Sequence, residues 1–338
     1  MRNHVYMDHH PKSFSREKIS RMSCPVPIGT SILSKKCIPP RNDDEWDQAM
    51  AKFKQGLKTD PMYLKRVKIS ALAAIKLIQH ANDGVKEGRA DPERCVPLEV
   101  MGNLLGFIDP EDEQCLVITD SFITPCKGGA HSSDPDARTA GYRVDYEEIY
   151  GFTNPRVKQV GWYHSHPFEP LNDAKSCTTH HCWFSAIDVG TQTQAQGIQD
   201  RYGMPYVGIV IDPQTTLERR QIHFGCFRTY NRLCTSSSVT KGRTPDGKSL
   251  IDFGDSANNS RWGDQWDKYY ALDVSFFTNE ENKKTLSILN ASYGWINDLV
   301  LTKTSQSTFK QVSFFVVVDI SVMIHLSNTS VFLISKNS

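Results

Sequence analysis

One run constrains this chain more than any other: Val160-Gly161-Trp162-Tyr163-His164-Ser165-His166-Pro167. Its β-branched and aromatic residues, closed by a proline, read as a strand. In an extended chain residues i and i+2 share a face, so His164 and His166 project together while Ser165 points away. Downstream, Cys182-Trp183-Phe184-Ser185-Ala186-Ile187-Asp188-Val189 reads as the start of a helix, with Ser185 as a cap and Asp188 in the first turn. A fold that honours both signals must supply two imidazoles on one strand face and a carboxylate at a helix start.

Those groups have the chemistry of a catalytic metal centre. A catalytic zinc takes three protein ligands and leaves the fourth position for water. His164, His166 and Asp188 are the candidate ligands, with one Zn2+ per chain. Zinc lowers the pKa of its water from 15.7 to about 7. A general base must still accept the proton and pass it to the leaving group. Glu99, in Leu98-Glu99-Val100-Met101-Gly102, is the candidate base, and the Ser185 hydroxyl is the candidate donor to the developing oxyanion. Each part also has an ordinary reading. His-x-His is weak evidence in a chain with eleven histidines, Ser-x-x-Asp is a common N-cap, and Glu99 alone could be a solvated strand residue. The inference rests on all of them occurring together in apolar context.

The rest of the chain sets bounds. Its 338 residues suffice for one large core with helical additions, and a formal charge of +1 gives no global field toward nucleic acid or an anionic membrane. Nine cysteines follow no regular framework, and residues 1–23 carry no apolar run, so an intracellular protein with reduced thiols is expected. Residues 1–42 read as a disordered arm. Residues 43–66 follow, with Trp46, Met50, Phe53 and Leu57 on one face of a helix starting near Asp43 or Asp44. A second helix is expected from Val67 to Ala81, stopped by Asn82-Asp83-Gly84, then a polar loop over 83–97. Strands are expected near 98–108, 114–122, 158–165, 205–211 and 220–229, and helices near 139–151 and 185–198. The fold class is therefore α/β (α+β), with the catalytic domain spanning 67–231. Residues 232–262 read as a flexible linker and 263–311 as a C-terminal helical region. The tail, 312–338, is apolar but broken by Asp319, His325 and Asn328, and a membrane helix needs about 20 mainly apolar residues, so no membrane partner is expected.

The combination Glu99 … His164-Ser165-His166 … Ser185-Ala186-Ile187-Asp188 closely resembles the JAMM (MPN+) metalloprotease motif. The flanking residues resemble the branch of that family found in the COP9 signalosome. So do Lys68-Ile69-Ser70-Ala71-Leu72, Val210-Ile211-Asp212-Pro213, Phe227-Arg228-Thr229-Tyr230 and Tyr270-Ala271-Leu272-Asp273-Val274-Ser275-Phe276-Phe277. The resemblance extends over approximately residues 43–310. It implies an MPN/JAB1 domain with a curved mixed β-sheet flanked by helices and a zinc site at its edge. It implies a zinc-dependent isopeptidase that removes a Nedd-type, ubiquitin-like modifier from cullins and so regulates cullin-RING ubiquitin ligases. The partners it implies are other signalosome subunits, including an MPN-type partner, in cytoplasm and nucleus. Two alternatives stay open: a deubiquitinase of the proteasome-lid type, and an inactive MPN scaffold.

Three features depart from the family. Eighteen residues separate His166 from Ser185, more than the family has, and the excess falls within Phe168 to His181. Lengthening a loop is thermodynamically cheap, about 0.6 kcal/mol per doubling, so the excess is expected to loop out and leave Asp188 in place. A second zinc site from Cys177, His180, His181 and Cys182 is the alternative, at irregular spacing. The family's regulatory loop, which can place a glutamate on the open zinc position, corresponds to Pro125–Arg138, and that stretch has no glutamate. The apolar tail is the third.

Overall fold

The computed structural model describes residues 37, 39–93, 95–128, 133–135, 137–167, 182–219, 222–234, 245 and 262–278. The first helix, α1 (Asp43–Leu57), is capped by Asn42, whose side chain accepts from the Glu45 N–H, one residue earlier than expected. Three acidic residues in its first turn favour the positive end of the helix dipole. The expected face is the one that docks: Met50, Phe53 and Leu57 are buried in the core and Trp46 packs beside them.

The stretch read as the start of a second helix divides in two. Arg66–Ser70 is a strand, β1, and the helix α2 (Ala71–Ala90) begins only after it. Local pattern is overridden here because β1 pairs in parallel on both sides, with Val67 and Ile69 fully buried. Ser70 then caps α2, its hydroxyl accepting from the Ala73 N–H at 3.0 Å. Nor does α2 stop at Asn82-Asp83-Gly84; it continues through the expected polar loop to Ala90. The glycine that reads as a stop serves close approach instead. A Cβ on Gly84 would lie 2.5 Å from Val100 Cγ1 and 2.8 Å from the Leu98 carbonyl oxygen. The bare backbone at Gly84 lets the segment before the next strand lie against α2, and the Leu98 N–H donates to the Gly84 carbonyl.

The remaining elements are β2 (Met101–Asp109), β3 (Asp112–Ile123), β4 (Cys126–Gly128), β5 (Ser133–Pro135), α3 (Ala137–Thr153), β6 (Lys158–Ser165), α4 (Ala186–Tyr202), β7 (Val207–Ile211), α5 (Pro213–Arg219), β8 (Phe224–Thr229), β9 (Tyr269–Ala271) and β10 (Asp273–Phe277). Eight strands form one mixed sheet in the order β10-β1-β3-β2-β6-β7-β8-β9, and β4 pairs with β5 in a separate hairpin within the 125–138 stretch. Strand β6 is antiparallel to β2 and parallel to β7. Breaks in register at Leu105/Gly106 and Ile108/Asp109 mark bulges that bend and twist β2.

Alternate residues feed opposite faces. On one face Ala73, Ala74, Leu77 and Ala81 of α2 pack on Leu104, Leu116, Ile118, Ile209 and Ile211. On the other, Trp162, Val210 and Phe227 pack on Phe184 and Tyr269, with Val189 and Ala195 of α4. Beside them Leu105, Phe107 and Val117 meet Tyr146 and Tyr150 of α3.

The stretch from 263, expected to be helical, is corrected over its described part. It holds a single 3₁₀ turn, Trp266–Lys268, and then β9 and β10, which form the two outer strands of the sheet. Its alternating pattern has the period of a strand, and Val274 and Phe276 fall into the same core as α2. The sheet is thus completed by residues beyond the expected linker. Most of the arm, most of 232–262, residues 279–311 and the apolar tail lie outside the described residues. No helix among the described residues is long and apolar enough to cross a membrane.

Candidate metal centre

His164 and His166 stand at the carboxyl end of β6, an interior strand, so the site lies at the strand ends rather than on an outer strand. The register explains which groups meet there. Because β2 runs antiparallel to β6, Met101 lies opposite His164, and Glu99 comes two residues before β2 at the same end. Because β7 runs parallel, the His166 N–H can donate to the Ile211 carbonyl at 2.8 Å. Ser165, facing away from the imidazoles, ties the two strands: its N–H donates to the Val100 carbonyl at 3.0 Å and its hydroxyl accepts from the Val100 N–H at 3.1 Å.

The carboxylate arrives from α4. Ser185 and Asp188 form a reciprocal capping box. The Ser185 hydroxyl accepts from the Asp188 N–H at 3.2 Å, and the Asp188 carboxylate accepts from the Ser185 N–H at 2.8 Å. That geometry fixes Asp188 in the first turn, with the carboxylate turned back toward the helix start. The helix start is anchored by Tyr269 of β9, whose hydroxyl donates to the Trp262 carbonyl at 2.6 Å and accepts from the Phe184 N–H at 3.3 Å. A residue from the stretch expected to be helical therefore supports the site.

The two Nε2 atoms lie 3.0 Å apart. Asp188 Oδ1 is 3.2 Å from His164 Nε2 and Oδ2 is 3.5 Å from His166 Nε2. All three residues are buried, and one ligand-type atom from each lies within 4.8 Å of the others. Burial opposes ionisation of Asp188, but the two imidazoles outweigh it and hold the carboxyl well below its usual range. Three convergent donors of the His₂Asp type, with the carboxylate ionised, fit a divalent transition metal such as zinc. The Nδ1 atom of His164 is buried and makes no hydrogen bond among the described residues, whereas Nε2 faces His166 and Asp188 and is the nitrogen placed to hold a metal.

Glu99 is also buried. Burial pushes its carboxyl up to about 7; the charge on His164 opposes that rise and Asp188 adds to it. Its carboxyl thus senses His164 and Asp188, two of the three members of the cluster. All five residues named from the sequence come together at one end of β6. The insertion Phe168–His181 lies outside the described residues, as do Cys177, His180 and His181 of the alternative second site. Cys182, the fourth member of that set, is fully buried.

Two residues that sequence reasoning passed over join the cluster. Trp162 stacks on His164, with ring centroids 4.6 Å apart and planes inclined by 7°. Gln192, fully buried, accepts from the Trp162 indole N–H at 2.8 Å. The available signal was a polar residue four positions after Asp188 on a helix.

Residues 62–201 match the family model described as JAB1/Mov34/MPN/PAD-1 ubiquitin protease. The chain is also similar to proteins named COP9 signalosome complex subunit 5. That of Dictyostelium discoideum is 32% identical over 242 residues, covering 71% of this chain and 61% of the relative. That of Caenorhabditis elegans is 33% identical over 283 residues, covering 83% and 62%. Subunit 5b of Arabidopsis thaliana is 30% identical over 258 residues, covering 76% and 61%. The chain spans about six-tenths of the length of these relatives. The buried His₂Asp cluster thus sits within a matched domain, and the chain belongs to the JAB1/Mov34/MPN/PAD-1 family, with subunit 5 of the COP9 signalosome among its relatives.

Proposed function

We propose that this protein is a zinc-dependent isopeptidase that removes a ubiquitin-like modifier of the Nedd type from cullins, as the catalytic subunit of a COP9 signalosome in cytoplasm and nucleus. The observation that carries the reading is the convergence of His164, His166 and Asp188 at one buried point, with the buried carboxyl of Glu99 beside it. The names of its relatives support membership of a signalosome. The modifier and the cullin substrate follow from the motif's resemblance to that branch of the family.

His164 and His166 through Nε2, and Asp188 through its carboxylate, would hold the metal. When bound, zinc would acidify a water to a pKa near 7 and polarise the scissile carbonyl. Glu99, whose carboxyl burial raises to about 7 in the metal-free chain, would accept a proton from the attacking water and return it to the leaving lysine amine. The Ser185 hydroxyl oxygen accepts from the Asp188 N–H, which leaves its own hydrogen available to the oxyanion. The wall formed by Trp162, Phe184 and Trp183 keeps bulk water from the buried side of the imidazoles, with Trp183 edge-on to His166 at 5.2 Å.

The test assays the purified protein within its complex on cullin conjugates and on ubiquitin chains side by side, with metal analysis of the same sample. About one zinc per chain and cleavage of the cullin conjugate are expected. Preference for ubiquitin chains would move the reading to a deubiquitinase. Metal-free, inactive protein would leave a scaffold.

A further inference from the structure

A metal-bound histidine ordinarily donates its second ring N–H to a carboxylate or carbonyl, which fixes the ring plane. For His164 no described residue plays that part, since Nδ1 is buried without such a partner. Its ring is held by a face instead. Trp162 lies nearly parallel to it at 4.6 Å, and Phe184 stacks against Trp162 with centroids 6.2 Å apart. The indole can turn only if its N–H leaves Gln192 Oε1, 2.8 Å away. Gln192 is itself fixed from behind, its Nε2 donating to the Tyr206 carbonyl at 3.0 Å and to Gln196 Oε1 at 3.1 Å.

The sheet makes room for this pair. Gly208 lies opposite Trp162 on β7, and a Cβ there would stand 3.0 Å from the indole nitrogen, 3.1 Å from Gln192 Oε1 and 2.6 Å from Phe184 Cζ. Asp188 and Gln192 are one helical turn apart on the buried face of α4.

We infer that Gln192 is a positioning residue for the metal centre: through Trp162 it sets the ring plane of His164, so that α4 delivers one ligand directly and orients a second. The inference rests on the metal reading given above. Gln192 touches neither metal nor substrate, and its role is read in metal affinity.

Zinc affinity is measured by competition with a chromophoric chelator, together with metal-free melting temperature, for the wild-type full chain, Gln192→Met, Trp162→Phe and the double variant. Gln192→Met keeps the length and loses the acceptor; Trp162→Phe keeps a stacking ring and loses the N–H. Each single variant is expected to weaken zinc binding by about 10- to 100-fold. The double variant should be little worse than either, because both break the same link. Wild-type affinity with only a lowered melting temperature would make the Gln192 bond a core contact and overturn the inference. So would fully additive losses. Should Gln192→Met fail to fold, Trp162→Phe alone decides, unchanged affinity overturning the inference. Wild-type protein that takes up no zinc would overturn the metal reading itself, an outcome distinct from a failure confined to the variants.

Discussion

The two ends of α4 hold the same chemical group under similar burial, and they balance its charge in different ways. The most buried positions of the helix are all polar, with Asp188, Gln192, Gln196 and Asp200 following at intervals of four. At the far end both carboxylate oxygens of Asp200 accept from one guanidinium nitrogen of Arg228, at 2.8 and 2.9 Å. Arg228 is fully buried, and its other nitrogen Nη1 donates to the Tyr206 carbonyl at 3.1 Å. That cation is permanent. At the near end Asp188 faces two imidazoles, which carry positive charge only when protonated. The near end therefore retains a demand for a cation that a divalent metal would satisfy, while the far end is closed and locks α4 onto β8. Gln196 links the two ends, accepting from Gln192 Nε2 at 3.1 Å and donating to Asp200 and to the Thr229 carbonyl.

The sharpest break of that contrast is at the near end. Replacing His164 or His166 by Ala should abolish zinc binding and activity together, each removing one of the three proposed ligands. Replacing Arg228 should leave the zinc content unchanged. Metal analysis by mass spectrometry checks both, and full zinc in either histidine variant would refute the ligand assignment.

Glu99→Gln comes next. It keeps size and hydrogen bonding but cannot take a proton, so turnover should fall by roughly 10² to 10⁴ with zinc retained. In the metal-loaded protein activity should rise with pH as Glu99 loses its proton, with a midpoint below the value of about 7 that burial gives it in the metal-free chain, because a divalent cation beside it favours the carboxylate. The stability of the metal-free protein carries the matching sign. The folded carboxyl holds its proton up to about 7, whereas its ordinary value is 4.5, so the folded state binds more protons between them. The Glu99 contribution to stability is thus complete below the lower value and is lost as pH rises through the upper one. The Glu99→Gln variant should flatten that part of a denaturation-versus-pH series; an unchanged slope would assign it to another group.

At the far end, Arg228→Met leaves Asp200 buried without its cation. A loss of about 3 to 5 kcal/mol in unfolding free energy is expected, measured in urea. A loss under about 1 kcal/mol would mean that the pair behaves like an exposed one.

The smallest effect belongs to the cap. Ser185→Ala removes the acceptor for the Asp188 N–H, at about 1 kcal/mol of stability, and one oxyanion donor, at roughly 10² to 10³ in turnover. Normal turnover with only lowered thermal stability would leave Ser185 as a cap alone.

The sequence by itself determined the near end of this contrast. Strand alternation puts His164 and His166 on one face, and a capping box puts Asp188 in the first turn of a helix; both are local geometry, set within a few residues. The same locality made β6, α1 and α3 legible. Tertiary structure decided whatever depends on a distant partner. Arg66–Ser70 is a strand because β10 and β3 flank it, and α2 passes Gly84 because the segment bearing Glu99 packs on that bare backbone. β9 and β10 complete the sheet from a region read from sequence as helical, and Tyr269 from there holds the chain before Ser185. The alignment of Gln192 with Trp162, thirty residues earlier, belongs to the same class. Spacing along the chain can name a ligand, but the groups that orient it are chosen by packing, which joins residues irrespective of their separation in sequence.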